Sequence, residues 1–370
     1  MTIDASAVAR VVGIDTVYKD LRAGGVLFLP QRIAVFAQGN TAATFPLTKF
    51  LATSAAQVGA LMGYGSPAHR VVKQLKPVNG DGVGTIPVTV YPMDDAYDSA
   101  AATGSYTPSG TQTKAASYRA RIGGVLSEAF VVDASATVAA RCASLMAAIN
   151  AVLDMPVVAS GGVTSVVLTA KWAGETGNDI TAEIIGESLG TTWAIVQPTG
   201  GLVNPTVDAA LLLVGNVWET MVINALNVDD EVALDAFQVF GEGRWGELVR
   251  KPLVVFTGNT LSTVALATAI SETRTDDRIN AQLVSPGSVD MPFVVAARQV
   301  ARIAKLANNN PPHDYGSLRA TGLIPGDDAV VFALAVFGSL MIAFSPRLSS
   351  IPATSAIAIF GFLAVGFTVG

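Results

Sequence analysis

Two histidines set the first limit on the chemistry open to this 370-residue chain. Triad hydrolysis needs an imidazole held between a nucleophile and an orienting carboxylate. His69 stands beside Arg70 on an amphipathic stretch and reads as surface cover, with Arg70, Lys73 and Lys76 in water. His313 adjoins Asp314 in a polar loop, with no nucleophile context such as Gly-x-Ser-x-Gly. Ser66, in Gly65-Ser66-Pro67, reads as a helix start rather than a nucleophile. Gly80, Gly82 and Gly84 superficially resemble a phosphate loop. They do not lead from a strand into a helix at dinucleotide spacing, and no Gly-Lys-Ser/Thr occurs, so they read as a turn. Glu175 and Asp179 are conceivable cation ligands, but two carboxylates in one loop read first as solvent-facing. The lone Cys142 excludes an intramolecular disulfide and a multi-cysteine zinc site, and reads as a small core hydrophobe. No catalytic residue, metal or cofactor is expected.

Composition narrows the class further. The chain is 51% hydrophobic and 14% charged, with a formal charge of -6. That balance argues against a dedicated nucleic-acid binder, which presents a basic face. Few charges fit a subunit that hides its surface in an assembly, and fit a membrane protein equally well. The start, MTIDASAVAR, lacks a basic segment followed by an apolar run. No secretory signal is therefore expected, and synthesis in a reducing cytoplasm is.

Residues 1–31 read as an apolar arm, with Val11, Val12, Ile14 and Val17 lacking helical spacing. An extended segment of this kind needs a partner sheet, its own or a neighbour's. Arg32 to Ala37 is a strand, helices begin near Ser54 and at Pro67, and Ile86 to Val90 is a second strand. Ala100 to Thr113 is small, polar and glycine-rich and reads as a linker. A strand-rich α+β block follows, with a hairpin turning at Gly123-Gly124, a helix over 134–153 and a strand over 164–170. After Pro205 helices and strands alternate again: a helix over 207–214, strands over 219–225, 252–256 and 280–284, helices over 229–240 and 260–274. Short connections in that rhythm predict an α/β fold whose mostly parallel sheet is flanked by helices. The expected division is an arm (1–31), a discontinuous core (32–93 and 204–328), an inserted α+β domain (94–203) and an apolar end (329–370). Trp218 and Trp245 sit at element ends, either as buried anchors with bonded indole nitrogens or as a subunit contact. Two apolar runs, 329–344 and 357–369, are each shorter than the ~20 residues that span a bilayer.

The stretch from Met291 to Pro325 carries the most information. Val294, Val295, Val300, Ile303 and Leu306 mark a helix that ends before Pro311 and Pro312. Arg298, Arg302 and Lys305 fall at i, i+4 and i+7 and share one face. The run from Ala307 to Pro325, ANNNPPHDYGSLRATGLIP, resembles a segment of contractile-tail sheath proteins of myophages, the Mu-like group in particular. QRIAVFAQG, the GYGSP turn and the block KWAGETGN resemble the same family, so the similarity runs discontinuously from Arg32 to Pro325. Residues 329–370 do not resemble that family's usual ending.

The resemblance implies a core of subtilisin-like topology, extended terminal arms and a helical homopolymer around an inner tail tube. Baseplate and tail terminator proteins are further implied partners, within the virion tail and after assembly in the host cytoplasm. It implies neither direct nucleic-acid contact nor stable membrane insertion. Arg298, Arg302 and Lys305 are the candidate contact with the tube or a neighbouring subunit. Val11, Val12, Ile14 and Val17, with Ile357, Ile359 and Phe362, are candidates for strand exchange. Two other readings stay open at this point: an α/β hydrolase using His313 or Ser66, and a structural protein anchored in a membrane through 329–369.

Overall fold

The computed structural model describes residues 31–80, 82–261, 270 and 272–309, and the strand segments 331–336 and 339–344. The arm residues Val11, Val12, Ile14 and Val17, the His313 loop, and Ile357, Ile359 and Phe362 lie outside the described residues. So does most of the helix expected over 260–274.

Strand β1 (Ile33–Gln38) leads through the short β2 (Phe50–Leu51) to helices α1 (Ala55–Met62) and α2 (Pro67–Leu75). Ser54 caps α1 by accepting from the Gln57 N–H at 3.2 Å. Ser66 caps α2 through the His69 N–H at 3.3 Å, with Pro67 supplying a preset φ at the first helical position. Strand β3 (Val88–Met93) then enters the sheet.

Eight strands, β4 (Thr103–Gly110), β5 (Ala116–Ile122), β6 (Val125–Leu126), β7 (Phe130–Val132), β8 (Val157–Gly161), β9 (Val166–Ala170), β10 (Ala182–Gly186) and β11 (Thr191–Thr199), form two four-stranded sheets. Helix α3 (Val138–Asn150) packs on them with Cys142 fully buried. The expected linker over 100–113 is a correction: most of it is β4, paired with β9 on one side and β11 on the other. Its inward positions are Gly104, Tyr106 and Pro108, so a genuine alternation carries only one large apolar side chain. Pro108 is tolerated because pairing with β9 has ended at Tyr106.

The chain returns through α4 (Asp208–Leu212), β12 (Met221–Asn224), α5 (Glu231–Trp245), β13 (Val254–Asn259), β14 (Asn280–Val284) and α6 (Pro292–Asn309). Strands β15 (Val331–Val336) and β16 (Ser339–Phe344) form an antiparallel hairpin on the edge of β14. The parallel strands stand in the order β3-β1-β12-β13-β14. In chain order that is 2-1-3-4-5, a doubly wound arrangement.

Both faces of the sheet are covered, which is why every position of β1, β3, β12 and β14 is buried. Ile33, Val35 and Ala37 face α1, α2 and α6, while Ala34 and Phe36 face α4 and α5. Phe36 stacks on Tyr91 of the adjacent strand at 4.8 Å and meets Phe237 of α5 edge-on at 5.2 Å. Helix α5 runs to Trp245 rather than stopping at Phe240, a second correction. One of the glycines that mark a break locally is needed for packing: a Cβ on Gly241 would stand 2.4 Å from Ile279 Cγ2.

Candidate functional site: the joint of body and insertion

In an open sheet of this order, ligands bind outside the carboxyl ends of the strands, where the order reverses. Here that point lies between β1, ending at Gln38, and β12, ending at Asn224. The insertion fills it. Gln38 Nε2 donates to the Ala173 carbonyl at 2.6 Å and to Asp95 Oδ1 at 2.8 Å. Trp172 is fully buried, gives its indole N–H to Thr176 Oγ1 at 2.6 Å and meets Phe293 of α6 edge-on at 6.2 Å. Asn178 accepts from the Gly201 N–H at 2.7 Å and donates to its carbonyl at 3.0 Å.

A polar relay links the insertion to the body beside this point. Asn204 accepts from the Glu175 N–H at 2.9 Å and donates to Asn227 Oδ1 at 3.1 Å and Asp230 Oδ2 at 2.9 Å. Asn227 donates in turn to Asp179 Oδ2 at 2.8 Å. Expected to face water, Asp179 is instead drawn into the joint, a correction with an electrostatic consequence. Burial, and then the charge of Asp229, push its carboxyl up to about 7. Among the described residues no group of three or more His, Cys, Asp or Glu converges to hold a metal ion.

The sign of the pH effect follows. Unfolded, Asp179 ionises near 3.8; folded, it keeps its proton to about 7, so its contribution to stability is lost as pH rises through that window. Because the group borders a cavity of about 330 Å³, the isolated shift is discounted for solvent. Asp179→Asn should stabilise the protein by roughly 2 kcal/mol at pH 8 and leave it unchanged at pH 4. Urea unfolding at the two pH values measures this, and an equal effect at both would remove the carboxyl from the account.

A second clasp joins α2 to the insertion, and it overturns two expectations. His69 is buried, not surface cover. The Gly63–Gly65 turn folds back so that His69 Nδ1 accepts the Gly65 N–H at 3.2 Å. Tyr64 lies edge-on at 5.1 Å and Asp154 stands 3.6 Å from Nε2. Burial pulls the imidazole down to about 4, with Asp154 opposing. The native ring thus stays neutral while the unfolded one takes a proton near 6.5, so this group's contribution declines as pH falls from 6.5 towards 4.

Arg70, expected in water, is 5% exposed and donates to the Gly123 carbonyl at 2.5 Å. Burial lowers it to about 10. Lys73 does reach solvent and pairs with Asp154. Ser66 caps α2 and donates to the Gly63 carbonyl at 2.8 Å.

Arg298, Arg302 and Lys305 share α6, and all three are half-buried. Arg298 turns to Asp290 at 3.1 Å and to Gln74 of α2 at 2.9 Å. Lys305 borders a groove with Lys76 and Asn308. Trp218 and Trp245 have the bonded indole nitrogens expected of anchors but are not buried, a correction to that reading. Their indole nitrogens donate to the Pro252 and Leu253 carbonyls at 2.8 and 3.2 Å, yet their rings are 41% and 54% exposed.

Fold and joint together define a doubly wound α/β protein whose strand-switch crevice is occupied by its own insertion. Its sequence is similar to that of a Mu-like tail sheath protein. It is 32% identical over 230 residues to the Mu-like prophage FluMu tail sheath protein of Haemophilus influenzae, a match over 60% of this chain and 45% of that protein. The chain therefore spans less than half the length of this relative. No family model matches it. The sheath tail protein of Listeria innocua aligns over 75% of this chain and 56% of its own at 10% identity. The TM-score is 0.29, a likeness that carries no argument.

Proposed function

We propose that the chain is a structural subunit of a contractile tail sheath. Many copies polymerise helically around an inner tail tube and contract by rigid-body rearrangement, driving the tube through the host envelope. Its partners are then further copies, the tube, and the baseplate and tail terminator proteins. Its place is the virion tail, after assembly in the host cytoplasm, with no cofactor, no catalysis and no direct nucleic-acid contact. The kinship over 230 residues carries this reading. The closed crevice supports it, because a subunit that moves as one body gains from a joint locked by Trp172 and the Asn204–Asn227–Asp179 relay. No helix among the described residues is long and apolar enough to cross a membrane.

On this reading 1–31 serves as an arm and 329–370 as inner strands at β15 and β16 with an arm beyond them, Val11, Val12, Ile14, Val17, Ile357, Ile359 and Phe362 standing in exchanged strands. The body 32–93 and 204–328, of subtilisin-like topology, carries the insertion 94–203. The stripe Arg298, Arg302 and Lys305 contributes the contact to acidic groups on the tube or a neighbour, with Arg298 anchoring it to Asp290. Ultracentrifugal pelleting in moderate salt tests the reading. Wild-type protein should sediment as polymer, and Arg302→Glu with Lys305→Glu should lower the pelleted fraction at least several-fold. Unchanged pelleting of the double variant would remove the stripe, and a soluble wild type would remove the polymer.

A further inference from the structure

Asn79 stands directly before a glycine, Gly80, as no other asparagine of the chain does. The pair follows α2 in the glycine-rich turn, next to Val78, which is 94% exposed. Asn79 and Gly80 are exposed as well. No described residue holds the Asn79 side-chain amide or the Gly80 N–H by a hydrogen bond. Gly80 takes φ +115°, and a Cβ built on it would meet nothing within 4 Å.

An asparagine amide is an electrophile within reach of the next backbone nitrogen. Bulk on the following residue, a hydrogen bond on either partner and a fixed backbone all hold the attack back. None of these protects Asn79. The amides of Asn150, Asn178, Asn204 and Asn227 are all engaged in hydrogen bonds. Each of those four also precedes a residue with a side chain: Ala151, Asp179, Pro205 and Val228.

We propose that Asn79 is a site of spontaneous modification, at which the chain converts an amide into a carboxylate. The Gly80 nitrogen, on losing its proton, attacks Asn79 Cγ. A nitrogen–carbon bond forms, the bond from Cγ to the amide nitrogen breaks, and ammonia leaves with the proton returned. The resulting succinimide takes up one water. Opening beside Cγ gives aspartate; opening at the former backbone carbonyl leaves Gly80 joined through Cγ, as isoaspartate. Water is the co-reactant, and nothing is oxidised or reduced.

The new charge arises at a consequential place. Asn79 borders a cavity of about 660 Å³ that Arg70, Lys73 and Arg298 share with His69, Asp154 and Asp290. Gly80 borders the groove of Lys76 and Lys305. A carboxylate here stands beside the α6 stripe and weakens its contact with acidic groups of a neighbour or the tube. This consequence rests on the sheath reading; the chemistry does not.

Peptide mass mapping of the purified, folded protein kept at pH 8 and at pH 6 tests the chemistry. Acid at position 79 should accumulate over days in both linkages. It should do so several-fold faster at pH 8, and about as fast as in the urea-unfolded chain. Asn79→Gln should gain no acid there, because its longer side chain must close a larger and slower ring. Modification confined to the unfolded chain, or spread evenly over the other asparagines, would overturn the site. Pelleting tests the consequence: Asn79→Asp should lower the sedimented fraction, and Asn79→Gln should leave it unchanged. Equal pelleting of Asn79→Asp and wild type would overturn the effect on the contact. A wild type that stays in solution would overturn that effect together with the sheath reading, while the mass data decide the chemistry independently.

Discussion

Trp172→Ala should lower the stability of the folded chain by about 4 kcal/mol, the middle of the range for a buried aromatic residue truncated to alanine. The indole is fully enclosed, and its nitrogen satisfies Thr176. Its edge rests on Phe293, the second residue of α6. Removing it empties the place where the insertion meets the body. The loss should show in urea unfolding as an early transition of the insertion ahead of the body, in place of a single one. A cost under about 1 kcal/mol with one transition would mean that the joint is held elsewhere.

Gly258→Ala should cost more than about 3 kcal/mol, although it adds one methyl group to a strand. A Cβ at this position would stand 1.7 Å from the Pro292 carbonyl oxygen and 2.4 Å from its carbon. Both belong to backbone, so rotamer changes offer no relief, and β13 and α6 would have to separate. The same helix carries Arg298 and its pair with Asp290, so the displacement would reach the contact stripe as well. Thermal unfolding of the purified variant measures the effect. A melting temperature within a degree or two of the wild type would show that the helix start yields freely.

Much of the body is written in local pattern. RIAVFA and PLVVF are short, mostly apolar runs flanked by helical periodicity, and each marks a parallel strand of the sheet. Patterns fail where long-range packing supplies the reason. Nothing near Gly241 in the chain announces that Ile279 will press against it, so a helix was expected to end where it continues. Alternation in β4 is carried by a glycine, a tyrosine and a proline, and its local composition is that of a loop. Helix α2 shows amphipathicity clearly, but its polar side is where the insertion lands, so His69 and Arg70 are enclosed.

The joint was hidden for the same reason. Asp179 and Asp229 lie fifty positions apart in sequence, and each alone reads as a solvated loop carboxylate. Only the fold brings Asp179 to Asn227, whose amide it accepts at 2.8 Å. Trp172 had been part of a recognisable block, KWAGETGN, yet its role as the plug of the crevice needs the strand order of the sheet.

Negative-stain electron microscopy of the purified protein tests the central claim most directly. The account predicts hollow tubes of constant width with a regular cross-striation, built from nothing but this chain. A uniform field of separate particles of the monomer's size, under conditions that keep the protein folded, would contradict it.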